Sequence, residues 1–313
     1  MRRLEVLAPA GNFACLRAAI QGGADSVFLG VGELNMRASS NTNFTVETLP
    51  EAVAICHEAG VKLYLTVNTI VYNEELVAVK ETLALAKRVG VDAIIASDQA
   101  VIVLARELGL RVHLSTQLSI SNTEALKFYS HWADVAVLAR ELSLEQVRRI
   151  TDIQEQQICG PSGELMQIEI FAHGALCMAV SGKCYLSLHE ANRSANRGSC
   201  VQICRRSYEL RDKESDNAIE VDNEYLMSPK DLKTIHFLNK IADAGVAILK
   251  IEGRARAPEY VLTVTRCYRE AVDALAEGRW NESMVADWDA RLASVFNRGF
   301  WDGYYLGQRL GEW

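Results

Sequence analysis

Eight short apolar runs alternate with eight amphipathic helical patterns along this 313-residue chain, and that rhythm predicts an α/β fold, a (β/α)8 TIM-like barrel. The runs are rich in Val, Ile and Leu with little polar alternation, as strands covered on both faces are. A doubly wound open sheet gives the same alternation, so the count of eight favours the closed barrel. One connection breaks the rhythm. Over 50 residues separate the seventh run, ending near Gly174, from the helical pattern near Asp231. A long strand-to-helix connection emerges at the C-terminal face of a barrel, where active sites sit.

The expected strands are 4–10, 26–30, 62–68, 93–98, 111–117, 134–140, 168–174 and 247–253. The expected helices are 12–22, 47–59, 74–89, 99–108, 122–131, 143–152, 231–244 and 258–277. Asn122 and Ser143 read as N-caps, the second with Gln146 three residues on, as in a capping box. Gly60, Gly90, Gly109 and Gly245 follow helices as C-terminal stops. The barrel, with its insertion at about 175–230, is expected to occupy residues 1–280. Residues 281–313, rich in Trp, Tyr and Gly, read as a terminal helix and loop, with a small β domain as one continuation.

Bulk composition is that of an ordinary globular chain, 49% hydrophobic and 23% charged. A net charge of −7 argues against a uniformly nucleic-acid-coating surface but leaves room for a local basic patch. No apolar run reaches the length that crosses a bilayer, and the first residues lack a secretory pattern. The expectation is a cytoplasmic protein with no membrane contact, in a compartment where thiols stay reduced.

Four of the eight cysteines, Cys177, Cys184, Cys200 and Cys204, fall within 28 residues, as a C-x6-C pair and a C-x3-C pair. Four thiolates together in such a chain read as metal ligands rather than disulfides, suited to zinc or to an iron–sulfur cluster. Structural zinc sites pair cysteines two to four residues apart, and only the second pair fits that spacing. Cys15, Cys56, Cys159 and Cys267 read instead as small buried apolar side chains.

Polar residues at strand C-termini point into a barrel's mouth. Here they are Asn12, Arg37, Asn68, Asp98, Gln117, Arg140, Glu141, His173, Lys250, Glu252 and Arg254. Cations converging there suit a ligand with carboxylates or phosphates; the alternative is salt bridges inside the barrel. Lys250 and Glu252, two apart on one strand face, are candidates for catalysis or for an internal pair. His173 reads as a proton shuttle, a partner of the metal ligands or a core histidine. Residues 183–213 hold seven basic side chains against three acidic ones. They would contact a phosphate backbone, or donate to cluster sulfurs and neighbouring acids. No H-E-x-x-H, G-x-S-x-G or P-loop motif occurs.

EVLAPAGNF (5–13), GADSVFLG (23–30), IEIFAHGALCMAVSGKCYLS (168–187), GSCVQICR (198–205), EYLMSPKDL (224–232) and LKIEGRARAPEYV (249–261) resemble the collagenase-like peptidases of family U32. The resemblance covers essentially the whole chain. It implies either a peptidase, as the family name says, or an oxygen-independent hydroxylase acting on tRNA uridine, ribosomal RNA cytidine or a ubiquinone precursor. The retained cysteine pairs and YLMSPKDL look most like the branch that makes 5-hydroxyuridine at the tRNA wobble position. For that branch the resemblance implies a 4Fe-4S cluster on Cys177, Cys184, Cys200 and Cys204. It also implies prephenate as oxygen source, a dicarboxylate that Arg37, Lys250 and Arg254 would hold. His173, Lys250 and Glu252 are then the candidate catalytic residues, and Arg37, Asn68, Gln117 and Arg254 the candidate substrate contacts. tRNA would bind through the basic insertion 183–213. A third reading is a zinc-stabilised scaffold for a partner subunit.

Overall fold

The structure, a computed structural model, describes residues 3–38, 44–154, 157–215, 218–221 and 227–307. Seven parallel strands follow one another in register: β1 (Glu5–Pro9), β2 (Ser26–Gly30), β3 (Lys62–Val67), β4 (Ala93–Ala96), β5 (Val112–Leu114), β6 (Val135–Val137) and β7 (Gln167–Gly174). The connection after β7 carries an antiparallel hairpin, β8 (Tyr208–Arg211) with β9 (Ala218–Val221), and a short strand β10 (Asp231–Lys233). The eighth barrel strand, β11 (Ile248–Ile251), pairs in parallel with both β7 and β1 and closes the ring. Closure leaves none of these eight strands with an open edge. A final short strand, β12 (Phe300–Trp301), pairs with β10 outside the ring.

The outer layer consists of α1 (Phe13–Gln21), α2 (Leu49–Glu58), α3 (Leu76–Val89), α4 (Gln99–Glu107), α5 (Thr123–Ser130) and α6 (Leu144–Gln154), with α8 (Leu238–Asp243) and α9 (Pro258–Ala276) later in the chain. A small helix, α7 (Leu186–Ala191), lies in the long insertion, and α10 (Glu282–Ala293) follows α9. Period-two alternation sorts the strand side chains. Val6, Ala8, Val27, Leu29, Leu63 and Leu65 join the helices in the main core. Leu7, Phe28, Tyr64, Ile95, Val135 and Ile248 form a second buried cluster, the filling of the barrel.

Local signals act as expected at several ends. Asn122 Oδ1 accepts from Ala125 N at 2.9 Å. Ser143 and Gln146 form the reciprocal capping box. One expected element differs. The helix expected over 231–244 begins only at Leu238. Before it, Asp231 is buried against Arg298 (2.8 Å), and its strand pairs with β7 and β12. Residues 281–307 hold the expected terminal helix, α10, and pack against the rest of the molecule. Trp288 is buried and donates to Glu270 at 3.0 Å, and Tyr305 Oη donates to the Phe171 carbonyl at 2.8 Å. Both contacts fix this segment to the barrel wall.

β7 outruns its neighbours because its end leaves the barrel and pairs antiparallel with β10, Leu232 opposite Gly174. Gly174 turns at φ 102°, and a Cβ there would sit 2.4 Å from the Glu252 carbonyl oxygen. Both the left-handed backbone and the contact require glycine. Gly174→Ala should cost about 2–3 kcal/mol in urea unfolding. A loss below about 1 kcal/mol would mean that this crossing relaxes without strain.

Candidate active site

The loop after β2 builds one side of the barrel mouth. Asn35 is fully buried and organises it: Nδ2 donates to the Gly32 carbonyl (2.9 Å), and Oδ1 accepts from Arg37 N and from Arg254 Nη1, each at 3.0 Å. Arg254 Nη1 also donates to Thr66 Oγ1 at 2.9 Å. Arg37 Nη2 pairs with Glu252 Oε1 at 2.5 Å. Ser97 Oγ lies 2.9 Å from both the Asn68 carbonyl and Gln117 Oε1, and Asn68 Oδ1 accepts from Met36 N. Arg140 completes the rim, donating to Ser181 Oγ at 2.6 Å with its guanidinium 5.4 Å from the Phe171 ring centre.

Positive charge prevails here. Burial alone would raise the Glu252 carboxyl, but Arg37, Arg254 and Arg140 outweigh it and hold the group below its usual range. Burial, then repulsion from Arg37, brings Arg254 down to about 10, so it stays protonated at neutral pH. Its Nε is buried without a hydrogen-bond partner among the described residues. Three guanidinium groups thus act on one carboxylate, as suits an anionic ligand.

The cysteine insertion covers this mouth. Burial raises the Cys204 thiol first, Arg205 opposes that, and Cys177, Cys200 and Cys184 each raise it further, so Cys204 lies within electrostatic reach of the other three. Cys177 and Cys200 also act on Arg37, which brings the thiols to the mouth. Ser187 Oγ lies 3.7 Å from Cys200 Sγ and accepts from Val201 N at 3.1 Å. Among the described residues no three His, Cys, Asp or Glu side chains are arranged to hold a single metal ion. The insertion is tied down between its cysteine pairs. Arg197 makes a two-pronged pair with Glu75 and lies 4.2 Å from the Tyr72 ring centre. Gly198, at φ 77°, packs so closely that a Cβ would meet the Asn35 carbonyl at 2.2 Å.

The mouth thus gathers Arg37, Asn68, Gln117, Glu252 and Arg254, and two expectations change. Lys250 does not pair with Glu252; its Nζ bonds Glu169 Oε1 at 2.7 Å, one layer deeper, 4.6 Å from the Phe28 ring centre. Glu169 lies on the adjacent strand β7, opposite Ile248 and so diagonal to Lys250, while Glu252 is taken by Arg37. His173 is 1% exposed and enclosed by Tyr260, Tyr268 and Phe300 rather than turned to the mouth. A bulge explains this: Lys250 faces Phe171 but Ile251 faces His173, so Ala172 is skipped and the alternation changes phase.

Asn12 and Asp98 cap α1 and α4 through Cys15 N and Ala100 N. Cys15, Cys56 and Cys267 are buried as expected, whereas Cys159 is exposed beside a surface turn. Sequence reasoning missed Asn35, Thr66, Ser97 and Glu169. Only Glu169 carried a clear signal, a lone charge inside an apolar strand run.

A closed (β/α)8 barrel whose charged mouth lies under a four-cysteine insertion defines the class. The chain belongs to peptidase family U32, which it matches over residues 11–313. It is 60% identical over 310 residues to a protein named collagenase from Porphyromonas gingivalis, covering 99% of this chain and 75% of that one. It is 37% identical to tRNA hydroxylation protein P1 of Bacillus subtilis, covering 99% and 74%. It is 35% identical to the 23S rRNA 5-hydroxycytidine C2501 synthase of Escherichia coli, covering 99% and 46%. A solved U32 peptidase shares the fold at 13% identity with a TM-score of 0.52, covering 81% of this chain and 94% of that one. Among the described residues no helix is long and apolar enough to cross a membrane.

Two stability predictions follow from this geometry. Lys250→Met strands Glu169 in the barrel and should cost about 3 kcal/mol, while Lys250→Met with Glu169→Leu should recover most of it. A double variant as unstable as the single one would show that the pair itself is not the cause. Burial, and then Lys233, lower His173 to about 3. Between pH 6.5 and 3 the unfolded chain binds a proton that the folded protein refuses, so stability falls as pH falls through this window. The slope from this one group should approach about 1.4 kcal/mol per pH unit. His173→Phe should flatten the acid limb of a plot of Tm against pH, and an unchanged limb would remove His173 as its source.

Proposed function

We propose that this protein is an RNA hydroxylase that makes 5-hydroxyuridine at the tRNA wobble position without molecular oxygen. Prephenate is the oxygen source in this reading, and a 4Fe-4S cluster is held by Cys177, Cys184, Cys200 and Cys204. The observation that carries the reading is the stacking of two features: a set of four cysteines, Cys204 feeling the other three, above a mouth where Arg37, Arg140 and Arg254 act on Glu252. The names of the relatives from B. subtilis and E. coli support RNA hydroxylation.

The donor set fits a cluster. A tetrahedral zinc with bonds of about 2.3 Å needs its thiols nearly touching. Four cysteines, with Cys204 within electrostatic reach of the other three, are the complete thiolate set that a 4Fe-4S centre takes. Such a cluster supplies electron transfer and Lewis acidity at the mouth. The chain's own residues do the rest. Arg254, with its unpartnered Nε, and Arg37 bind the two carboxylates of prephenate. Glu252 stays ionised at neutral pH and accepts a hydrogen bond or proton from the pyrimidine. Asn68 and Gln117 line the opposite side and read the base edge through their amides. The base enters unstacked, as enzymes acting on a base require. Lys250 and His173 are too enclosed to join these steps and hold the scaffold instead. tRNA approaches through the basic insertion 183–213, and RNA as substrate implies a cytoplasmic enzyme.

The 60% identical collagenase-named relative favours a second reading, a peptidase. Anaerobic purification separates the two. The hydroxylase reading expects brown protein with about four irons per chain, lost on changing any of the four cysteines to Ser. It also expects prephenate-dependent addition of one oxygen atom to tRNA, read by mass spectrometry. Colourless protein with one zinc per chain would support the scaffold reading. Gelatin hydrolysis without any RNA product would support the peptidase.

A further inference from the structure

The insertion's basic residues divide into two groups. Arg197 is spent on Glu75 and Tyr72, and Arg205 reaches Gln202 and the Leu176 carbonyl. Lys183, Arg193 and Arg206 are exposed, and no ion pair or side-chain hydrogen bond engages them among the described residues. Between them lies α7, whose inner residue Ser187 contacts Cys200. Its outer side is unusually apolar for so charged a segment. Tyr185 is 78% exposed, and with Leu186, Leu188 and His189 it lines an open groove of about 580 Å³. Tyr185 contributes nothing to the core, and its hydroxyl has no partner among the described residues. An exposed aromatic ring amid unpaired cations is what unpaired nucleotides bind: bases stack on the ring and phosphates meet the cations. Double-stranded RNA, with its bases hidden, would meet only the cations.

We propose that the exposed side of α7 is a stacking platform for unpaired RNA nucleotides, with Tyr185 under a base and Lys183, Arg193 and Arg206 on neighbouring phosphates. This rests on the RNA reading above and adds to it the surface that holds the substrate beside the cysteine centre. A positive segment in a chain of net charge −7 also orients an approaching polyanion toward this face.

Fluorescence anisotropy of the anaerobically purified protein tests it, with a labelled anticodon stem-loop and a duplex RNA of equal length as probes. Tyr185→Ala should weaken stem-loop binding about tenfold, Tyr185→Phe should bind like the parent, and duplex binding should be unmoved by either. The triple change Lys183→Ala, Arg193→Ala, Arg206→Ala should weaken both probes and lower the salt slope by about two. Circular dichroism and iron content establish that each variant is folded. A parent that binds the stem-loop while Tyr185→Ala binds it equally well overturns the platform alone. A parent that binds neither RNA overturns the RNA reading itself. A parent dimer that Tyr185→Ala dissociates in sedimentation assigns the groove to a second copy of the chain and also overturns the platform.

Discussion

The mouth of this barrel depends on one buried cation. Arg254 is 6% exposed and stays charged at neutral pH, so the protein has to solvate it. Asn35 and Thr66 do so, and the Asn35 contact fixes the loop after β2. That loop sets Arg37 on Glu252, and its Asn35 carbonyl is the surface against which Gly198 packs. The insertion with its cysteines is thereby positioned by a guanidinium in the barrel. Removing Arg254 would free Asn35, then Arg37, then the floor under the thiols. Local sequence preference does not hold this loop; a charge that must be satisfied does.

The barrel interior below is also more polar than the branched aliphatic layers usual in this architecture. Glu169 and Lys250 pair across β7 and β11, and Tyr64 donates to Glu5 while its ring meets His113 at 4.4 Å. Burial keeps His113 neutral, with Nδ1 unpartnered among the described residues. It lines a cavity of roughly 240 Å³ at the N-terminal face, large enough for ordered water that would satisfy it. Replacing such groups by packed apolar residues is often stabilising. Their presence trades stability for a fixed arrangement beneath the mouth, since Lys250 and Glu252 project from one strand face into successive layers.

The barrel was legible in the sequence because apolar runs and caps are local signals. Asn122, Ser143 and the helix-ending glycines acted through neighbours a few residues away, and the eight strands fell where the runs lie. Arg37, Glu252 and Arg254 were legible as mouth residues for a related reason, since strand C-termini point one way. What failed was non-local. Of the three readings of His173 the core histidine is the one the structure has, because a single skipped residue, Ala172, reverses the alternation, and no composition signals a bulge. The helix expected from 231 gave way to a strand because Asp231 meets Arg298, 67 residues on. The pairing of Lys250 was misassigned because its partner depends on the register of β7 against β11, which only closure of the ring defines.

Charge balance ties the upper and lower halves of the site together. Four thiolates on an iron–sulfur centre would load negative charge onto the mouth, and a dicarboxylate beneath would add more. Neither would be held without cations positioned beforehand. Arg37 responds to both layers, first to Glu252 and then to Cys177 and Cys200. Through it, occupancy at the cysteine centre would be felt at the carboxylate. If the thiols became ligands their charge would draw Arg37 upward and loosen its hold on Glu252, leaving that carboxylate freer to accept a proton. A hydrolytic site would gain nothing from this coupling, whereas a site that must bring an anion, a base and a redox centre together would. That coupling belongs to the proposed hydroxylase reading, while both names occur among the chain's relatives.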